Sequence, residues 1–550
     1  MLHPGESEFP RGSFPSYRDD SFFDNQRGHE EKMTALVVEP TGLQVTMLAV
    51  MVLSLAWTSA TSGARILAVF PYNGHSHFAM VEPLMVALSE RGHHVTVISP
   101  FPRRKDSDGG GRYVDVDVSD SLPPVISQLN VTKELGHRVD PVTGLRDLCQ
   151  MNHRVCEATF EHPLVRALIH EPHTFDVVFT EAFATDCFSA FAHAYDAPLV
   201  SIRTSNYSPQ LNRRVANPQN PAYLVNHLLT YTGHGMSFAQ RLINALATHF
   251  GAVGYHAFSD GPSTELVRRH FGPDTPPVPE ITLRRTALVL VNAHHSLTQP
   301  RPTVPNAVEV GGLHITQPEE LENAANEWTD YCDLCNQGVI YVSFGSLLKG
   351  SSFPVQFTTA FVRAFEALPY CVLWKYEGEM ISRRIKVSKW MPQQQILSHK
   401  NVKAFITHGG LMGIMEAVHF AVPMIGIPVF GDQQSNVADC VAKGIAIGLD
   451  HQQITVEKLI KSIQSVITDS KYKSKASKLS ARFRDRPSSA LETAVFWTEY
   501  VIRHGNLTNT ASLAMDFDFY QYFLLDVVSV GLSILLFLFY IAFRVKKCIR

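Results

Sequence analysis

Short apolar runs alternate with amphipathic stretches over most of the chain. "ARILAVFP", "HHVTVIS", "FDVVFTEAF" and "APLVSI" have the continuous hydrophobicity of strands buried in a parallel sheet. Between the first two, "FAMVEPLMVALSERG" has helical spacing and ends at Gly92. This order of strand, helix and strand predicts a doubly wound α/β sheet, which binds ligands at the carboxyl ends of its strands.

A second series of strand-like runs begins at "GVIYVSFGS" and continues through "YCVLWKYE", "KVSKW", "VKAFITHGG" and "PMIGIPVFGD". Proline and glycine punctuate the stretch before it, as in a linker. We therefore predict two Rossmann-like domains, at 64–300 and 338–510, joined by a linker at 301–337 and facing each other across a cleft. The aromatic, His- and Asn-rich stretch from about 205 to 280 is expected to shape a pocket.

Two apolar segments lie outside this pattern. Residues 47–57, "MLAVMVLSLAW", are followed by small residues and are typical of a signal peptide, so residues 1–63 are assigned to an N-terminal extension and signal peptide. The polar residues before it are unlike a basic leader, and we expect translation to start at Met33 or Met47. Residues 527–543, with "YFLL" before them, reach the roughly 20 residues that a membrane helix needs.

The tail, residues 544–550, is predicted to be cytosolic because it is basic. Its basic residues are Arg544, Lys546, Lys547 and Arg550. The prediction is a single-pass type I protein with lumenal domains. The tail "KKCIR" resembles a dilysine retrieval signal, with Cys548 where a lysine is wanted, so the endoplasmic reticulum membrane is the expected location. Sequons for N-glycosylation agree with a lumenal body and lie at Asn130, Asn206 and Asn506.

Composition excludes several classes of protein. Hydrophobic residues make up 45% and charged residues 18% of the 550, as in a globular protein with a large core. A formal net charge of −3 gives no reason to expect nucleic acid as a partner. Eight cysteines do not make a disulfide scaffold, and we interpret the C-x-x-C at Cys332 and Cys335 as a loop pair or a local disulfide.

The candidate chemistry is concentrated in "FITHGGLMGIMEAVHFAVPMIGIPVFGDQQSN", residues 405–436. Gly409 and Gly410 stand between a buried strand and a helix, where free N–H groups attract anions. His408 adds a hydrogen-bond donor, so a phosphate or diphosphate is the predicted ligand.

Other polar residues along this edge suit a nucleotide sugar. Glu416 has two interpretations, a solvated helix face or a carboxylate that accepts from ribose hydroxyls. Asp432 and Gln433 offer the several acceptors and donors that a sugar requires. Trp390 is suited to stacking on a base whose edge Gln393 recognises, and a core tryptophan is the alternative.

Residues 405–433 resemble the signature of the UDP-glycosyltransferases. Aromatic–Ile–Thr–His–Gly–Gly is followed at the family's spacing by Gly413, Glu416, Pro423, Pro428 and the Asp432–Gln433 pair. "VPNAVEVGGLHI", "GVIYVSFGS", "VSKWMPQQQILSH" and "GDQQSNVADC" extend the similarity over most of 64–547. The overall pattern is similar to the animal membrane-bound members, and "TEAFATDCF" and "DFYQYFLLDV" resemble insect ones.

The resemblance implies an α/β protein of the GT-B fold whose later domain holds the UDP-sugar. It implies base and nucleoside contacts by Trp390 and Gln393, and a ribose contact by Glu416. It also implies diphosphate contacts by Ser346, His408, Gly409 and Gly410, and sugar contacts by Asp432, Gln433 and Asn436. No metal or other cofactor is expected, since no aspartate pair resembles a D-x-D site; the UDP-sugar is a co-substrate.

The resemblance also implies that the first domain binds the acceptor and carries the base. "GHSHF" matches the family's first turn and makes His77 the expected general base, because an imidazole titrates near neutrality. A carboxylate is expected to orient it, and we favour Asp186 over Glu181. The implied reaction is an inverting transfer of a hexose to a hydroxyl.

Substrates and rival functions stay open at this point. Small lipophilic alcohols or phenols are the expected acceptors, as in detoxification or in hormone and pigment conjugation. Insect-like motifs favour UDP-glucose over UDP-glucuronate. Family members tend to self-associate, so a homo-oligomer is a further expectation. The rivals are a Rossmann oxidoreductase, disfavoured by the lack of G-x-G-x-x-G, and a non-catalytic membrane-anchored binder of lipophilic ligands that retains the fold.

Overall fold

The structure is a computed structural model that describes residues 63–103, 111–123, 141–226, 229, 231, 235–316, 327–346, 348, 350, 353–378, 384–505 and 512–549. The predicted signal peptide at 47–57, both candidate start methionines and the sequons at Asn130 and Asn506 lie outside these ranges.

Seven parallel strands form the first sheet, in the spatial order β3-β2-β1-β4-β5-β6-β7. Their bounds are β1 Arg65–Val69, β2 His94–Ser99, β3 Tyr113–Asp117, β4 Val177–Glu181, β5 Leu199–Arg203, β6 Thr286–Val291 and β7 Ala307–Glu309. The inner strands are buried almost throughout, because helices cover both faces of the sheet. The strands predicted between 64 and 300 are therefore confirmed.

Eight α-helices of this lobe are described: α1 His75–Glu90, α2 Pro141–Glu161, α3 Pro163–His170, α4 Ala190–Ala194, α5 Pro209–Arg214, α6 Phe238–Tyr255, α7 Gly261–Phe271 and α8 Val278–Arg285. A 3₁₀ turn, Cys187–Ser189, precedes α4, and a π-helical turn, His256–Asp260, joins α6 to α7. Gly92 follows α1 with φ of +99°, a conformation that favours glycine.

Six parallel strands form the second sheet, in the order β10-β9-β8-β11-β12-β13. They are β8 Val339–Ser343, β9 Cys371–Lys375, β10 Ile385–Ser388, β11 Val402–Thr407, β12 Met424–Gly426 and β13 Ala446–Gly448. The described helices of this part are α9 Glu327–Asp333, α10 Val355–Glu366, α11 Gln393–Ser398, α12 Leu411–His419, α13 Gln433–Ala442, α14 Val456–Thr468 and α15 Ser470–Arg484. Two Rossmann-like domains are confirmed.

The boundaries between the domains differ from the predicted ones in two places. Strand β7 lies within the predicted linker, yet it pairs with β6 and completes the first sheet. Helix α16, Ala490–His504, follows the second lobe in sequence but packs on α1 and β6, and Ala494 and Val501 belong to the first core. An ion pair links this helix to the first lobe, with Arg91 Nε 2.5 Å from Glu499 Oε1.

Two disulfides join parts of the chain that are distant in sequence. Cys156 in α2 is bonded to Cys187, and Cys335 is bonded to Cys371 at the start of β9. Cys332 is a free, buried thiol. A local Cys332–Cys335 disulfide is therefore wrong, because strand β9 brings a different partner to Cys335.

The chain ends in helices α17, Phe519–Tyr522, and α18, Leu525–Ile549. Helix α18 is long and apolar enough to cross a membrane, and none of its hydrophobic stretch is buried against the rest of the protein. The apolar helix expected at 527–543 is thus present and extends further at both ends.

Candidate active site

A cleft of about 1480 Å³ lies at the carboxyl ends of strands from both sheets. The first lobe lines it with residues from the turn between β1 and α1 and from the segments after β4 and β5. The second lobe contributes the ends of β8, β9 and β11 and the starts of α11, α12 and α13. The expected cleft is therefore present, and most predicted site residues line it.

His77 contacts a carboxylate in this cleft. It lies in the first turn of α1, and its Nδ1 is 2.5 Å from Oε1 of Glu181 at the end of β4. Tyr72 and Phe183 pack against the imidazole, with ring centroids 4.7 and 4.8 Å away. An imidazole that donates its Nδ1 proton to a carboxylate has its lone pair on Nε2, where it can accept a proton.

Thr204, which belongs to no motif in the sequence, completes this contact. Its hydroxyl donates to Glu181 Oε1 at 2.5 Å and lies 3.2 Å from His77 Nδ1. The backbone carbonyl of Thr204 accepts from Asn292 Nδ2 at 2.8 Å, which holds this segment in place. The available signal was its position directly after β5, the neighbour of β4.

Asp186 does not contact His77. Its carboxylate forms an ion pair with Arg214, whose other terminal nitrogen donates to Ser201 Oγ at 2.8 Å. Both side chains of the pair are buried, so each charge depends on the other. The prediction that Asp186 is the partner of His77 is therefore wrong. Asp186 pairs with Arg214, and Glu181 contacts the imidazole.

A second cation of the first lobe, Arg203, ends β5 and lines the cleft. Its Nη1 donates to the carbonyl of Ala182 at 2.6 Å, and its side chain is buried at the edge of the cleft. Burial lowers the pKa of Arg203, and the charges of Glu181 and Asp432 oppose that effect. The charge of Arg203 therefore interacts favourably with one carboxylate of each lobe.

His408 is enclosed between two glycines in the second lobe. A Cβ built on Gly345 or Gly410 would come within 2.7 Å of its ring, so only glycine leaves room for the imidazole. Burial, and next the charge of Lys375, lower the pKa of His408 to about 4. The ring is neutral at physiological pH and offers an N–H donor near the start of α12.

Lys375 supplies a positive charge in this region that no motif in the sequence indicates. It ends β9, lines the cleft and donates from Nζ to the carbonyl of Gly345 at 2.8 Å. Burial lowers its pKa. Ser346, predicted to contact the diphosphate, is exposed in the cleft beside this turn.

Gly409 has a structural role. Its φ is +88°, and an added Cβ would meet Val437 Cγ2 at 2.5 Å, so the residue permits the turn and the close packing of α13. It is not among the residues that line the cleft, unlike Gly410 at the start of α12.

Gln393, Glu416 and Trp390 line the same end of the cleft. Gln393 donates from Nε2 to Glu416 Oε2 at 2.5 Å and accepts from the Tyr341 hydroxyl at 3.3 Å. His314, absent from the predicted set, places Nε2 3.3 Å from the other oxygen of Glu416. Glu416 is buried, so a solvated helix face is excluded as its environment.

The Trp390 ring is 57% exposed and is therefore available for stacking, which excludes a core tryptophan. It makes a T-shaped contact with His75 of the first lobe, with ring centroids 5.0 Å apart. This aromatic contact joins the two lobes across the cleft.

The predicted sugar contacts divide into lining and supporting residues. Asp432 and Gln433 line the cleft, but Gln433 Oε1 accepts from the backbone N–H groups of Val429 and Phe430 at 2.9 and 3.1 Å. Asn436 is buried and donates to Asp432 Oδ2 at 3.1 Å and to the carbonyl of Gly409 at 3.2 Å. Asn436 therefore positions Asp432 and is not a lining residue.

Asn206 is a poor acceptor for a glycan. It is only partly exposed, directly after the Thr204 segment, and its Oδ1 accepts from the backbone N–H of Tyr207 at 2.8 Å. The sequon serine, Ser208, is buried and caps α5. The structure thus argues against the expected modification at this position.

Comparisons with known proteins agree with this geometry. The family model described as "UDP-glucoronosyl and UDP-glucosyl transferase" matches residues 64–550. UDP-glucosyltransferase 2 of Dactylopius coccus is 37% identical over 475 residues, covering 86% of this chain and 90% of that protein. UDP-glucuronosyltransferase 2B17 of Mus musculus is 29% identical over 508 residues, covering 86% and 92%.

Solved structures share the fold. The glycotransferase of kitacinnamycin superposes with a TM-score of 0.54 at 19% identity, covering 80% of this chain and 98% of that one. LpCGTa, solved in complex with UDP, gives a TM-score of 0.51 at 14% identity, covering 80% and 99%.

Proposed function

The chain belongs to the family of UDP-glucuronosyl and UDP-glucosyl transferases, and we propose that it transfers glucose from UDP-glucose to a hydroxyl of a small lipophilic acceptor with inversion. The 2.5 Å contact between His77 Nδ1 and Glu181 Oε1 carries this proposal. It supplies an oriented imidazole in a cleft whose other wall has groups suited to a nucleotide diphosphate.

In the proposed step, His77 Nε2 takes the proton of the acceptor hydroxyl as the oxygen attacks the anomeric carbon. The bond from that carbon to the acceptor oxygen forms while its bond to the diphosphate oxygen breaks, and UDP leaves with the bonding electrons. Glu181 stabilises the imidazolium that results, and Thr204 holds the carboxylate in place. A single displacement of this kind inverts the anomeric centre.

The leaving UDP carries negative charge, which the second lobe is equipped to stabilise. The N–H groups at the start of α12, the neutral His408 and the Lys375 ammonium line the same cleft, and Lys375 donates to the carbonyl of Gly345. No metal is part of the proposed chemistry. Trp390 would stack on the uracil, Gln393 and Glu416 would hold the nucleoside, and Asp432 and Gln433 would bind the hexose.

Glucose is proposed as the sugar because UDP-glucosyltransferase 2 is the more similar of the two relatives described above. We further propose that α18 anchors the protein in the endoplasmic reticulum membrane with both lobes in the lumen. The support is the basic tail after the apolar segment of this helix. A role in conjugating lipophilic compounds, as in detoxification, follows from this location.

The test uses microsomes that contain the full chain. UDP-glucose, UDP-galactose and UDP-glucuronate are each offered with a panel of phenols, and released UDP and the glycoside are quantified. We expect product with UDP-glucose and a β-linkage formed from the α-linked donor. Binding of UDP without product from any donor and phenol would contradict the proposal and favour a non-catalytic binder.

A further inference from the structure

Helix α6 has its polar side inward and its apolar side outward. Its buried residues are Asn244, Thr248 and Tyr255. The exposed large apolar side chains are Phe238, Leu242, Ile243, Leu246, Phe250 and Val253, and the exposed polar residues of the helix are Arg241 and His249. Phe238 and Phe250 are 74% and 68% exposed. A helix on the surface of a soluble lobe normally has the opposite arrangement.

Hydrogen bonds fix this orientation. Asn244 Oδ1 accepts from the backbone N–H of Asn226 at 2.8 Å, and its Nδ2 donates to the carbonyls of Pro221 and Leu224 at 2.7 and 2.8 Å. A capping box at Ser237 and Gln240 sets the start of the helix. Rotating the helix to bury its leucines would break these buried bonds, so the apolar side must face outward.

The exposed apolar side chains form a stripe along the helix, and His249 lies on the same face. Phe238, Leu242, Leu246, Phe250 and Val253 follow one another at intervals of four, four, four and three residues, which places them on one face. Arg241 is the helix's one lysine, arginine or acidic residue, and it donates to the carbonyl of Met236 at the helix start. Contiguous apolar surface of this kind marks a contact with a partner or a membrane.

We propose that the apolar face of α6 lies in the interfacial region of the lipid bilayer to which α18 tethers the protein. The same chain contains a 25-residue helix able to span that bilayer, which keeps the lobes close to it. A face of Phe, Leu, Ile and Val suits the boundary between headgroups and acyl chains. It lacks the Tyr, Trp and Arg enrichment of protein interfaces.

The same helix borders the cleft. Gly251 and Tyr255 line it, together with Asn226, which Asn244 holds. A membrane contact at α6 therefore places this edge of the cleft at the bilayer surface. It follows that acceptors dissolved in the membrane enter here, a consequence that rests on the proposed function, whereas the contact itself does not.

Site-specific quenching in the full-length protein tests the contact. Cys548 is the exposed free cysteine among the described residues, so it is first replaced in the variant Cys548→Ser. Phe250→Cys and, as a matched control on the second lobe, Val355→Cys are then labelled with bimane; Val355 is 77% exposed at the start of α10. The proteins are reconstituted in phosphatidylcholine vesicles with or without brominated acyl chains.

Brominated chains are expected to quench the probe at position 250 and to leave the probe at position 355 unchanged. Leu246→Cys, on the same face, serves as a second reporter and guards against misfolding of the first variant. Equal fluorescence with and without bromine at both α6 positions would overturn the proposal. So would a blue shift that depends on protein concentration but not on bromine, which indicates a second copy of the chain.

A kinetic arm follows the entry of acceptors. The double variant Leu246→Asp/Phe250→Asp is expected to raise KM for a membrane-partitioning phenol about tenfold and to leave KM for a water-soluble phenol unchanged. Equal changes for both phenols would contradict entry from the membrane. Because quenching needs no turnover, failure of the reaction and failure of the membrane contact are distinguishable.

Discussion

His77 Nδ1 lies 2.5 Å from Glu181 Oε1, although 104 residues separate them in the sequence. The parallel pairing of β1 with β4 produces this contact, since Val69 pairs with Thr180 and each strand ends beside the other. Helix α1, which follows β1, carries the imidazole in its first turn, and β4 carries the carboxylate at its end. The contact is therefore a property of the sheet and not of a flexible loop.

Glu181→Gln and Asp186→Asn are expected to have different consequences. Glu181→Gln should lower kcat by about 10²–10⁴-fold, because the imidazolium loses its counter-charge. Asp186→Asn should chiefly destabilise the fold, by about 3–5 kcal/mol, because Arg214 keeps a buried charge without its partner. Measuring kcat relative to the amount of folded enzyme, together with thermal unfolding, separates the two effects. A large loss of kcat in Asp186→Asn and a small one in Glu181→Gln would make Asp186 the catalytic partner.

Thr204→Val removes the hydroxyl that donates to Glu181 and nearly conserves the volume of the side chain. We expect kcat to fall on the order of tenfold, as for a hydrogen bond to a charged group, while KM for the UDP-sugar is unchanged. Ser205→Ala, at a neighbouring residue that also lines the cleft, is the control and should retain its kcat. Equal kcat values for the two variants would contradict a role of Thr204 in positioning Glu181.

Gly410→Ala places a methyl group 2.7 Å from Nε2 of His408, so the ring must move. The expected result is UDP binding weaker by about tenfold or more, since small displacements of a binding group are costly. Gly261→Ala is the matched control at the start of α7, where nothing lies within 4 Å of the added carbon. Isothermal calorimetry with UDP measures both variants, and unchanged affinity in Gly410→Ala would contradict a role for His408.

The pattern of apolar runs was sufficient to predict the parallel strands and the ligand edge. It was not sufficient for the partner of His77, because Glu181 and Asp186 are five residues apart and only the fold shows that Arg214 holds Asp186. Lys375 and Thr204 belong to no motif in the sequence, because Lys375 is a single polar residue at the end of β9 and Thr204 follows β5 among other polar residues. Their neighbours in space come from other strands.

The return of α16 to the first lobe was also beyond the sequence analysis. An amphipathic pattern shows that a helix has a buried face but not which core receives it. The disulfide between Cys335 and Cys371 was likewise not predictable from the sequence, because only the position of strand β9 brings Cys371 next to Cys335.

Acid should destabilise the protein through three histidines whose pKa values are lowered in the fold. Burial is the first cause that lowers the pKa of His294 to about 3 and of His408 and His419 to about 4. Below pH of about 6.5 these histidines are protonated in the unfolded chain but stay neutral in the folded protein. The free energy of unfolding therefore decreases as the pH drops from there toward 4. Tm should therefore decrease over this range, with a shallower slope in His408→Gln; an unchanged slope would contradict a buried neutral ring.

The central claim is that His77 removes the proton of the acceptor while UDP-glucose occupies the second lobe. The most direct measurement is kcat/KM for UDP-glucose with a phenol in His77→Ala, alongside the affinity of the same protein for UDP. We predict a loss of about 10²–10⁴-fold in kcat/KM with unchanged UDP affinity. Turnover by His77→Ala at the wild-type rate would contradict the claim.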